Sequence, residues 1–199
     1  MGRKGTVLGG GGYQSGGVQH YVLAVIDLDA PHPAPVPIPM GFLAHGAAFD
    51  PLDVNRVAVF EKKGPGACLF DLRERRVTEV ITTRPNRSFY GHGAFSADGS
   101  LLYATESCLD RNFAGVLVVR DAKTLAELGT VPTHAASPHD CRLIDGGKTM
   151  VVANGGGAIH EKAVPACVTY LDVASGKLLE RVLLGSPRVN AGHIDITST

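Results

Sequence analysis

Three histidines, His45, His92 and His139, each open a stretch with the same internal order, and they stand 47 residues apart. The stretches begin "AHGAAF", "GHGAFSADG" and "SPHDCRLIDGG". A short alternating strand follows each histidine. A turn comes next, with Asp98-Gly99 and Asp145-Gly146 in two of the three units. An apolar strand follows: Val57 to Phe60, Leu101 to Thr105, or Met150 to Ala153. A third strand ends in aspartate at Asp71, Asp121 or Asp172, and a polar turn leads to a fourth. An Asp before a short polar turn is ordinary hairpin chemistry. Four strands in each ~40–50 residues is the pattern of a propeller blade. The expected fold is therefore all-β: a β-propeller of four-stranded antiparallel blades, forming a single domain over residues 1–199.

The flanks extend the repeat at both ends. "HYVLAVIDLDAPHPAPVPIP" fits the third and fourth strands of an earlier blade, whose first strand is not visible upstream. "GHIDIT" restarts the pattern at His193, 54 residues after His139, with the longer interval absorbed by the loop Gly155 to Pro165. Blade starts then fall near 45, 92, 139 and 193, about four blades of a partial ring. An alternative closes a four-bladed ring by pairing the strand from Gly192 back onto the first blade, which would remove the open sheet edges. "LGGGGYQSGG" lacks the G-K-[ST] ending of a phosphate-binding loop and is expected to be a flexible loop. The one competing helical stretch, Asp121 to Leu128, is too short to stand alone.

Composition narrows the function. Lys plus Arg equals Asp plus Glu at 19 each, a balance that argues against a nucleic-acid or membrane-surface partner relying on a basic face. No apolar run approaches the ~20 residues of a membrane span, and the N-terminus has no apolar core of a signal peptide. Cys68, Cys108, Cys141 and Cys167 lie 40, 33 and 26 residues apart, which is no zinc-ribbon or redox C-x-x-C spacing. They read as small buried hydrophobes, with one disulfide left open for an oxidising compartment. No G-x-S-x-G or H-E-x-x-H motif marks a nucleophile or a metalloprotease, and whether the chain is an enzyme stays open.

"RSFYGHGAFSADGSLLYATE", "SPHDCRL", "DGGKTMVVANGG" and "YLDVASGKLLE" together resemble one uncharacterised bacterial propeller family, numbered fifteen-thirteen among the domains of unknown function. The resemblance runs from about Tyr21 to Asp195. It implies a larger propeller than this length supplies, export to the periplasm, and a small-molecule, metal or protein partner linked to iron acquisition. It implies no established activity. This sequence departs from the family in three respects: no export signal is visible, about half of the ring is present, and Asp140 stands where the family usually has Glu after the third histidine.

The first strand of a propeller blade lines the central channel, so His45, His92, His139 and His193 should form an arc around one axis. Glu61, Glu106 and Asn154 follow their histidines by 16, 14 and 15 residues, which puts them in phase on the same rim. Neutral imidazole with carboxylate suits iron, zinc or manganese. His45, His92, His139, His193, Glu61 and Glu106 are thus the candidate ligands of a transition metal. The competing reading is structural: each histidine bonds the backbone of the next blade. Arg87, Tyr90, Arg111 and Asn154 are the candidates for binding a small ligand, with Arg87 able to grip an anion bidentately or to form a plain salt bridge. Gly91 and Gly93, flanking His92, should permit close backbone approach near the axis. His20, His32, His134 and His160 are off phase and expected in exposed loops.

Overall fold

The computed structural model describes residues 5–155, 165–186 and 189–197. Among these, all regular structure is strand, apart from two single turns of 3-10 helix at Leu109–Arg111 and Asp145–Gly147. Four antiparallel sheets follow one another along the chain. The first holds β1 (Thr6–Ser15), β2 (Val18–Asp27) and β3 (Val36–Met40). The second holds β4 (Ala44–Phe49), β5 (Arg56–Glu61), β6 (Gly66–Asp71) and β7 (Arg76–Thr82). The third holds β8 (Arg87–Phe95), β9 (Leu101–Cys108), β10 (Ala114–Asp121) and β11 (Glu127–Ala136). The fourth holds β12 (Pro138–Ile144), β13 (Thr149–Asn154), β14 (Cys167–Asp172) and β15 (Leu178–Leu183).

Each sheet of four is a simple meander, and the sheets stack face to face. β4, β8 and β12 run side by side as the innermost strands. The core is the series of apolar layers between successive sheets. Leu23, Val25, Val57, Val59 and Phe70 fill the first interval, and Phe60, Leu69, Phe89 and Leu102 the second. Tyr103, Leu117, Met150, Val152 and Leu171 fill the third. The aspartates that end the third strands close their turns as expected. Oδ1 of Asp71 accepts from the Glu74 amide, that of Asp121 from the Lys123 and Thr124 amides, and that of Asp172 from the Ser175 amide. The segment 121–128 is therefore a turn with strand ends, and the helical alternative falls away. All four cysteines are free and buried.

Two expectations are corrected. The glycine-rich N-terminal stretch is a strand: β1 pairs along its whole length with β2, from Thr6–Asp27 to Ser15–Val18. It takes the place of a second strand, because it packs on β4 as β5 packs on β8 and β9 on β12. The first sheet thus has its second, third and fourth strands and no innermost one among the described residues. Nor does the segment from Gly192 fill that place: residues 189–197 form no ladder, so the ring is not closed through it. The loop expected at Gly155 to Pro165 lies mostly outside the described residues, as does His160.

Glycine in β1 is a packing requirement where the strand meets its neighbour. A Cβ on Gly10 would stand 1.9 Å from the Ala44 carbonyl oxygen. Gly10→Val is expected to destabilise the protein by about 1–3 kcal/mol, as overpacked cores do, read as a lower midpoint in urea unfolding. An unchanged midpoint would mean that β1 does not dock against β4.

Candidate functional site

The innermost strands deliver one histidine each to a common point. His45 is the second residue of β4, His139 the second of β12, and His92 lies within β8. Each sits where the pairing of its strand slips: between Ala44 and Gly46, between Phe89 and Gly93, and between Pro138 and Asp140. A bulge adds a residue that has no partner and re-aims its side chain. That local break turns each imidazole to the axis. Gly91 makes the bulge of β8 feasible, since its φ of +122° is one that L side chains rarely adopt. A Cβ there would stand 2.8 Å from Cδ2 of His45 and 3.1 Å from Cε1 of His139. Gly93 is also crowded, but by Phe60 and the Tyr103 carbonyl in the inter-sheet core and not by the axis.

His193 joins from the segment 189–197. The four rings have centroids 4.8–5.6 Å apart. One ring nitrogen from each lies within 4.8 Å of the others. His45, His92 and His139 are half-buried and His193 is exposed. His139 Nδ1 lies 2.8 Å from the Tyr90 carbonyl oxygen, so it carries the proton and donates, leaving Nε2 with a free lone pair. His45 Nε2 stands 3.3 Å from that Nε2. His92 Nε2 is buried with no hydrogen-bond partner.

Burial and crowding hold the three half-buried rings, His45, His92 and His139, below the ordinary histidine range. Burial, followed by the neighbouring His139, pulls His45 down to about 4. Burial also lowers His92 to about 4, against the opposing pull of Asp140. His139 is lowered by burial as well, although its bond to Tyr90 works the other way. Asp140 itself is fully buried, with Oδ1 3.7 Å from His92 Nδ1. That is beyond hydrogen-bonding distance. Its bonds go elsewhere, to the Cys141 amide at 2.8 Å, Arg142 at 2.6 Å and the Ile194 amide at 3.2 Å.

The two glutamates placed on the rim by phase are taken up in other work. Glu61 accepts from the Gly66 amide at 2.8 Å. Glu106 is wholly buried between Arg87 and Arg120, at 3.2 and 3.5 Å, and accepts from the Thr83 hydroxyl. Burial still raises its carboxyl above the ordinary range. Neither belongs to the converging group, which consists of the four imidazoles.

The small-ligand candidates do not assemble either. Arg87 is buried in salt bridges to Glu106 and to Glu127, the latter at 2.6 Å. Arg111 donates to Cys108 Sγ at 2.7 Å and shares with Arg87 and Glu127 a cleft of about 270 Å³. The Tyr90 ring lies under Lys63. Asn154 is buried in the fourth sheet, donating to the Val152 carbonyl and the Thr169 hydroxyl. Asp140, which sequence reasoning set aside, is the carboxylate nearest the ring. Its signal was its place directly after a repeat histidine.

The family model described as "Protein of unknown function (DUF1513)" matches residues 38–199. No curated protein matches the sequence. Among solved structures, the Kuenenia stuttgartiensis hydrazine synthase superposes with a TM-score of 0.64 at 16% identity. The match covers 83% of this chain and 46% of that one, so the chain spans about half of the length of that relative. At such identity the likeness concerns the fold alone.

Two expected outcomes follow from these geometries. Glu106→Ala leaves Arg120 buried without a counter-charge and Arg87 with Glu127 alone, and is expected to cost about 3–5 kcal/mol, measured by denaturant unfolding; a loss under 1 kcal/mol would refute the network's role. The second concerns pH. A histidine whose folded pKa is depressed binds its proton in the unfolded chain first, so stability present above about 6.5 is lost as pH falls toward about 4. The urea midpoint of metal-free protein should drop between pH 7 and 5, and His92→Gln should flatten that slope. Equal slopes for the two proteins would contradict the neutral ring.

Proposed function

We propose, for a chain that belongs to the DUF1513 family of proteins of unknown function, that it is a metal-binding propeller domain whose ligands are His45, His92, His139 and His193. The carrying observation is the convergence of four imidazole nitrogens within 4.8 Å. Tetrahedral imidazole nitrogens at ~2.0–2.1 Å from zinc lie about 3.4 Å from one another. The His45–His139 pair is already at 3.3 Å, and the remaining rings need only a small contraction. The orphaned Nε2 of His92 supports the same reading, and the unprotonated Nε2 of His139, now facing His45 Nε2, is placed to ligate. An all-imidazole set suits zinc, copper, iron or nickel.

The role assigned to the ring is metal binding. The family resemblance supports a place in the cell envelope and a partner in iron uptake, checked by fractionating cells that express the full-length gene.

One observation favours a second reading, a scaffold with a purely structural histidine ring. His139 bonds the Tyr90 carbonyl of the neighbouring sheet, as a packing residue would. The two readings separate by experiment. Chelator-treated protein should bind one equivalent of Zn(II) by calorimetry and gain about 2.7 kcal/mol when free zinc is 100-fold above Kd. The double variant His92→Ala, His139→Ala should lose both effects. Absence of zinc binding by the wild type, or full binding by the double variant, would leave the scaffold reading standing.

A further inference from the structure

Three of the four rings are fixed by strands, and the fourth is not. His45, His92 and His139 stand on β4, β8 and β12, whose ladders hold them. His193 is exposed and lies in a segment without a ladder. What holds that segment is local. Ala191 is buried against Ala153 and Ala166, with Ile194 packed on the same cluster. The Ile194 amide donates to Oδ2 of Asp140 at 3.2 Å. Asp140 in turn is held by the Cys141 amide and Arg142 through Oδ1. One carboxylate therefore uses one oxygen to lock itself to β12 and the other to seat the residue next to His193.

We propose that Asp140 is the positioning residue that makes His193 the fourth ligand on a three-histidine platform, and that the fourth position becomes exchangeable when that hold is lost. This rests on the metal reading above. When the Asp140–Ile194 bond opens, His193 leaves and a small anion or water takes its place. Closed four-ligand sites serve structure, whereas three protein ligands with an open position serve chemistry or transfer. Asp140 thus sets which of the two this ring is.

Cobalt(II) is the test ion, because its visible spectrum reports coordination number, and azide is the competing anion. Wild-type protein loaded with cobalt should show a four-coordinate spectrum that azide leaves unchanged. His193→Ala should give a spectrum that shifts with azide. Asp140→Ala should shift in the same way although His193 is present, with the cobalt Kd raised about 10–100-fold, the range for losing a ligand-orienting partner. Ile194→Pro removes the donor without touching Asp140 and should behave as Asp140→Ala does, which covers the case of an Asp140→Ala protein that fails to fold. Insensitivity of Ile194→Pro, or of His193→Ala, overturns this inference while leaving the metal reading intact. No cobalt binding by the wild type overturns both.

Discussion

Four imidazoles meeting at one point cannot all carry charge, and most of what surrounds them follows from that. The rings of His45, His92 and His139 are held neutral because each is half-desolvated and faces the others. Neutrality leaves lone pairs on the axis, where hydrogen bonding absorbs only part of them. The inner strands must then come close enough to bring the rings together without filling the space between. Bulges at His45, His92 and His139 supply the direction, and Gly91 supplies the room. The apolar mass of the protein is displaced outward, into the layers between sheets.

Buried charge is handled in a different way one layer out. Glu106, Arg87, Arg120 and Glu127 form a chain of opposite charges, extended to the surface by Arg84. Such a set is costly to break and adds little as a net contribution. Its value here is one of register: it ties the first two strands of the third sheet to its third and fourth. A carboxylate committed in this way is unavailable to the axis. The ring is therefore left with Asp140 as its nearest anion, engaged with backbone amides and an arginine.

The repeat made the fold legible. The spacing of His45, His92 and His139 carried the number of sheets, the strand order within each and the common destination of the rings. What stayed hidden depends on pairing or direction. β1 has almost no apolar alternation to betray a strand, and only its partner β2 makes it one. Glu106 keeps the right phase along the chain, but phase does not say which face a side chain takes. Asp140 was obscured by the rule that adjacent strand residues point to opposite faces, a rule that the bulge at Pro138–Asp140 suspends. The segment around His193 has the letters of a strand, yet side-chain and cluster contacts hold it instead.

Because each ring comes from a different stretch of chain, anything that grips all of them acts as a cross-link. It would close three consecutive loops, of 47, 47 and 54 residues. In the chain-entropy picture, closing one loop of that size removes about 4 kcal/mol worth of freedom from the unfolded ensemble. A single bound ion would so tether three separate meanders through one point, much as a set of disulfides would, but reversibly and without an oxidant. At the axis of this protein so small a ligand could govern how three of its four sheets come apart.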